Sequence, residues 1–223
     1  MHSYVSQLKA LFEKHADPVQ AVPMKKYMRG QFEYLGIKSP QLKELMKEFI
    51  GASGLPGIKE LETVLRDLWS LPQREFQYAA TGLLGRREKE LPPGFISTIE
   101  YLIVTNSWCD TVDTLSGGVV GAHFRRYPDI RERYLATWRA SDNFWLRRAT
   151  ILFQLNYKHE TDFDLLREII LENLGSGEFF INKAIGWSLR QYARVDPEAV
   201  KKFVNSTPLH SLSRREAMKH IHQ

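Results

Sequence analysis

Residues 144–155 read FWLRRATILFQL. An aromatic pair is followed by two arginines, then an alanine, then an apolar run. Two other stretches share this layout: REFQYAATGLL at 74–84 and FFINKAIGWSL at 179–189. Each has an aromatic early, a polar or basic residue one or two places before an alanine, and apolar residues after it. The alanines are Ala80, Ala149 and Ala184, and Ala217 in SRREAMKHI extends the series. Their separations of 69, 35 and 33 residues fit two periods and then single periods of about 35. A period of that size belongs to stacked helix pairs, each of which buries its apolar face against the next.

The rest of the chain agrees. Leu42, Leu45, Met46, Phe49 and Ile50 fall on one helical stripe, as do Ile58, Leu61, Val64, Leu65 and Leu68. Ser39-Pro40 reads as an N-cap followed by a proline in the first turn. Further helices are expected near 93–104, 107–116, 118–126, 128–139, 143–156, 162–174, 178–192, 196–205 and 212–221. Pro92-Pro93, Tyr127-Pro128, Gly175-Ser176-Gly177 and Asp196-Pro197 mark breaks between them. Nothing alternates with period two, so no sheet is expected. With no low-complexity tract and no linker, residues 1–223 read as a single domain. The fold class is all-α, a right-handed superhelix of HEAT-like helical repeats, or α-solenoid.

Composition narrows the chemistry. A hydrophobic content of 43% supports a sizeable core, yet no apolar run nears the roughly 20 residues that span a membrane. The opening MHSYVSQLKALFEKH lacks a basic segment followed by an apolar one, so no secretory signal is expected. The single cysteine excludes an internal disulfide and a thiolate metal site, which fits a reducing cytoplasm. The seven histidines, His220 and His222 among them, show no metal-ligand spacing. Gly117-Gly118 is too short for a phosphate loop and has no lysine after it. No metal or cofactor is expected.

A net charge of +5 matters only if the cations share a face. The register supplies one. Asp113, Arg148 and Lys183 are spaced 35 residues apart and form a row, with Thr114 at the alanine position one period before Ala149. Trp187 is one turn beyond Lys183, and Cys109 one turn before Asp113. Trp108 points away from Cys109, toward the core between layers. Arg147, Arg190, Arg194, Arg214, Arg215 and Lys219 lie near the row, interleaved with Phe144, Phe179 and Phe180. A concave basic wall suits the phosphates of a nucleic acid. A carboxylate there opposes phosphate binding and needs a reason: Asp113 either pairs with Arg148 across adjacent helices or serves chemistry. Asp110 fits a capping box with Ser107. Trp187 fits the core or the groove, and Cys109 fits packing better than nucleophilic attack, having no histidine within two turns.

These residues bring a family into view. PMKKYMRGQFEYLGI, LPQREFQYAA, NSWCDTVD, ASDNFWLRRATILFQLNYK, EFFINKAIGWSLRQYA and SRREAMKHI occur in order along almost the whole chain. Together they resemble the bacterial AlkD-type DNA alkylation repair glycosylases. The resemblance implies a monomer that wraps duplex DNA containing alkylated bases in its groove. It implies removal of positively charged N3- and N7-alkylated purines without a deep base pocket. Asp113 matches the family's catalytic aspartate, Arg148 its supporting arginine, Trp187 one of two tryptophans flanking the lesion, and Tyr27 a tyrosine of the groove. Tyr27, Cys109, Arg147, Lys183, Arg190, Arg214, Arg215 and Lys219 are candidate DNA contacts. Cys109 departs from the pattern: SWCD stands where the family carries SWWD, and a thiol offers no broad face to a sugar.

Overall fold

A computed structural model describes residues 1–221; His222 lies outside them. The fold class is all-α and consistent with an α-solenoid. Among the described residues, extended pairing amounts to an isolated parallel bridge between Glu33 and Gln73. No helix among them is long and apolar enough to cross a membrane. The chain divides into two compact units, Met1–Leu91 and Pro92 onward.

The first unit holds α1 (Ser3–Lys14), α2 (Pro18–Tyr27), α3 (Ser39–Ser53), α4 (Ile58–Ser70) and α5 (Arg74–Arg87). The stripes expected on α3 and α4 are buried at Leu42, Leu45, Met46, Phe49, Leu61, Val64, Leu65 and Leu68. Phe12 stacks on Phe76, with ring centroids 5.5 Å apart. Ser39 does not cap α3: Lys38 is the N-cap and makes no side-chain bond, while Ser39 is already helical. Pro40 removes a first-turn N–H that would otherwise need a partner. The loop before α3 is held by Glu75, a fully buried carboxylate accepting from the N–H groups of Leu35, Gly36 and Ile37 at 3.0, 2.9 and 3.1 Å. Gly36 has φ +93°, and a Cβ there would lie 2.0 Å from the Asp17 carbonyl, so only glycine closes this loop.

The second unit holds α6 (Ile96–Val104), α7 (Cys109–Thr114), α8 (Gly121–Arg126), α9 (Pro128–Arg139), α10 (Phe144–Leu152), α11 (Phe163–Glu172), α12 (Phe179–Tyr192), α13 (Pro197–Ser206) and α14 (Ser211–Ala217). Helix α10 is its hub, packing against α6, α7, α9, α11 and α12. The expected helices 143–156 and 212–221 both end early, at Leu152 and Ala217. Ala149, Ala184 and Ala217 are buried, as the register requires.

The register fails at Thr114, which is exposed and donates from Oγ1 to the Asp110 carbonyl. The expected break near Gly117-Gly118 is absent too. The backbone runs from Cys109 to Arg126 without interruption, widening into a π-helix over Leu115–Val120. A π segment leaves carbonyls off the regular ladder, and side chains following α10 meet two of them. Asn156 Nδ2 donates to Gly117 O at 2.8 Å, and the Tyr157 hydroxyl donates to Gly121 O at 2.7 Å. A Cβ at Gly121 would sit 2.4 Å from Phe153 O, whereas one at Gly118 would meet nothing within 4 Å. Gly121→Ala should therefore destabilise the protein by about 1–3 kcal/mol through overpacking, while Gly118→Ala should be neutral or stabilising. Urea unfolding of the two variants side by side checks the contrast.

Candidate nucleic-acid interface

The second unit carries most of the sites expected from sequence. Helix α7 begins after Trp108, which makes no side-chain cap. The capping box expected between Ser107 and Asp110 does not form. Ser107 Oγ instead donates to Ile103 O at 2.6 Å, at the end of α6, and Asp110 accepts from the N–H of Thr111 at 2.8 Å. The helix starts one residue later than the box needs, with Trp108 in the cap position, and Ser107 is already committed to the preceding helix.

Asp113 ends this short helix facing α10. Arg148 meets it with both arms: Nε to Oδ1 at 2.7 Å and Nη2 to Oδ2 at 2.9 Å. The third nitrogen, Nη1, donates to the carbonyl of Phe180 on α12. The guanidinium is only 2% exposed, whereas the Asp113 side chain is 21% exposed. The burial and bonds of Arg148 turn its three nitrogens toward Asp113 and Phe180 rather than toward a phosphate. Burial pushes the Asp113 carboxyl above the ordinary carboxylate value. Its bonds to Arg148 and that residue's charge pull the other way without cancelling the rise, and Asp110 adds to it. The result is a fixed acid with one edge open to solvent.

Around this pair lies an aromatic cluster. Trp108 packs against Trp145 and Phe180, with centroids 6.3 and 5.3 Å away. Phe144 stacks parallel to Phe180 at 6.2 Å, and Phe179 meets Phe180 edge-on. Trp108 is therefore packed as expected, though half-buried. Cys109 is half-buried as well. Burial first, then Asp113 and Asp110, push its thiol up, which suits packing rather than nucleophilic attack.

On α12, Trp187 is half-buried. Lys183 and Arg190 stand one turn to either side of it, and both turn to Glu216 on α14. Lys183 Nζ is 2.9 Å from Oε1, and Arg190 Nη1 donates to Oε2. Lys183 was placed in a row with Arg148; its recorded ion pair lies in the opposite direction. Arg147 donates to the carbonyl of Ser141, and Arg214 Nη2 donates to those of Val204 and Thr207 at 2.6 and 3.3 Å, closing the end of α13. These two keep their positive charge, since carbonyls do not neutralise it. Arg194, Arg215 and Lys219 are exposed. Tyr27, in the first unit, is 87% exposed.

Glu216 went unnoticed in the sequence although a signal existed. It directly precedes Ala217, as Arg148 precedes Ala149 and Lys183 precedes Ala184. A cavity of about 310 Å3 lies among α10, α11 and α12, lined by Gln154, Lys158, Ser188, Gln191 and Arg194 among others. None of Asp113, Arg148 or Trp187 lines it. Among the described residues, no group of three or more His, Cys, Asp or Glu side chains is placed to hold a metal ion.

The second unit thus holds a fixed acid beside aromatic and cationic side chains. Residues 8–221 match the family model described as DNA alkylation repair enzyme, so the chain belongs to that family. A solved structure described as a predicted DNA alkylation repair enzyme from Enterococcus faecalis is similar, with 29% sequence identity and a TM-score of 0.86. The match covers 93% of this chain and 97% of that one. No curated protein shows significant sequence similarity. A role in DNA repair, with DNA as the substrate, follows from the family.

Removing Arg148 would strand Asp113 in a mostly buried position. Arg148→Ala should cost about 3 kcal/mol of stability, toward the low end for a broken buried pair. It should leave the salt dependence of DNA binding unchanged, because the side chain is buried and all three nitrogens are turned to Asp113 and Phe180 rather than to a phosphate. Urea unfolding and a salt titration of duplex binding test the two halves.

Proposed function

We propose that this protein is a DNA glycosylase. It excises positively charged N3- and N7-alkylated purines from duplex DNA, as a cofactor-free, cytoplasmic monomer of HEAT-like repeats. The observation that carries this reading is Asp113, a carboxylate gripped on both oxygens by a buried arginine yet open along one edge.

The chemistry asks for little else. A purine alkylated at N3 or N7 is already cationic and leaves without a proton from the enzyme. As the glycosidic bond stretches, positive charge grows on the deoxyribose, and a fixed carboxylate opposes it. At about 4 Å and an effective dielectric near 20, a bare carboxylate would contribute about 4 kcal/mol. Arg148 lies behind the acid, some 4 Å further from such a sugar, and returns about 2 kcal/mol of repulsion on the same scale. The net of about 2 kcal/mol is a rate factor of roughly 30. Arg148 takes two of the carboxylate's four lone-pair sites, leaving room to orient the attacking water.

Trp187 would supply an aromatic face to the sugar cation. It follows Phe180 by two helical turns, so its Cα is on the same side of α12, about 10 Å along. A helical side chain leans back toward the N-terminus, which brings the indole toward the end that Arg148 touches.

A second reading, a DNA-binding paralogue without glycosylase activity, draws on Cys109. The tryptophan that the related pattern places there would face the sugar, and the thiol does not replace it.

Two experiments divide these readings. Asp113→Asn should slow base release from methylated duplex by at least about 30-fold while leaving DNA affinity nearly intact, measured by chromatography of released bases. In the unaltered protein, enzymatic release should rise with pH through a midpoint above 3.8, the ordinary aspartate value, because the raised carboxyl must ionise to act. Separately, Cys109→Trp should speed release by roughly 2- to 30-fold, the kinetic equivalent of a stacking contact of about 0.5–2 kcal/mol. If neither the native chain nor this variant releases a base, the binding-only reading stands.

A further inference from the structure

Two of the cations beside Trp187 are already occupied. Lys183 and Arg190 stand on one ridge of α12, and each grips one oxygen of the Glu216 carboxylate. That carboxylate is 14% exposed and cannot easily swing away. Where α14 meets α12, a Cβ on Gly186 would lie 2.5 Å from the Glu216 Cβ and 2.9 Å from Ser213 O. Ser213 Oγ, fully buried, donates to Asn182 O at 2.8 Å and locks the two helices together.

We infer that Glu216 is a specificity-determining residue of the DNA site: it holds Lys183 and Arg190 as a fork of net charge +1, set to accept one backbone phosphate rather than two. The inference rests on the duplex-DNA reading above. Lys183 has three ammonium donors and gives one to Glu216; its side chain remains 39% exposed, so the others face outward. The pair of ion bonds, that from Lys183 foremost, holds the Glu216 carboxyl below its ordinary range, so the negative charge persists across neutral pH. An enzyme searching duplex for rare cationic bases gains from this restraint. Every extra phosphate contact strengthens binding to unmodified and modified DNA alike, whereas an alkylated base is told apart by the acid and the indole.

The test is duplex binding by fluorescence anisotropy across a salt series, with an unmodified oligonucleotide as probe. Glu216→Gln keeps the side-chain shape and removes the charge. It should steepen the slope of log affinity against log salt by about 0.9, one phosphate's worth, and tighten binding about five- to tenfold near 0.1 M salt. Lys183→Gln should make the slope shallower by a similar amount, and the double variant should return to the native slope. A purely structural Glu216 would lower the melting temperature and leave the slope alone, which would overturn the inference without touching the repair reading. Native protein that binds neither unmodified nor alkylated duplex at low salt would remove both.

Discussion

A buried guanidinium cannot be left without partners, since the cost of an uncompensated charge away from water runs to several kcal/mol. Arg148 meets that demand by drawing three helices together. Two of its nitrogens fix Asp113 at the end of α7, the third fixes the first turn of α12 through Phe180 O, and the residue itself belongs to α10, the hub of its unit. The placement of the acid is thus a consequence of how the core satisfies one cation. This differs from a surface ion pair, whose contribution is small and whose geometry wanders.

Cross-helix pairing recurs along the row that holds Asp113, Arg148, Lys183 and Glu216. Asp113 and Arg148 form one cross-helix pair, Lys183 and Glu216 another, so α7, α10, α12 and α14 carry acid, base, base, acid. A buried alanine directly follows Arg148, Lys183 and Glu216 and leaves room for neighbouring helices to approach. The approach is tightest where Gly186 removes the last Cβ between α12 and α14.

Much of this was legible. The helical stripes of α3 and α4, the buried alanines and the Asp113–Arg148 pairing follow from period and register, because burial enforces both. What escaped was set by local hydrogen bonding or by backbone choice. The π-helix begins at Leu115, one residue past the exposed Thr114, and no residue pattern announces such a widening. Ser107 had two outlets, a box with Asp110 or the carbonyl four residues back, and its spacing alone does not decide between them. Ser39 and Lys38 differ by the single position at which cap assignments are least secure. Glu216 is the instructive omission. Extending the row by one more repeat would have found it, but a search for cations passes over acids.

A count of basic residues therefore overstates what such a surface can do to DNA. The chain's net charge of +5 is a small difference between 31 basic and 26 acidic side chains. On the candidate face several cations are spent before any phosphate arrives: Arg148 on Asp113, Lys183 and Arg190 on Glu216. Arg147, Arg214, Arg215 and Lys219 keep their charge, and they form a modest electrostatic handle rather than a deep positive well. This suits a protein for which tight, indiscriminate grip would be a hindrance. Under the glycosylase proposal the discrimination required is local, a negative edge that favours a base already carrying positive charge. That edge is effective only because the surrounding cations are restrained: an acid among unpaired arginines would have its field cancelled. Tying both Lys183 and Arg190 to the single carboxylate of Glu216 limits that cancellation near Trp187.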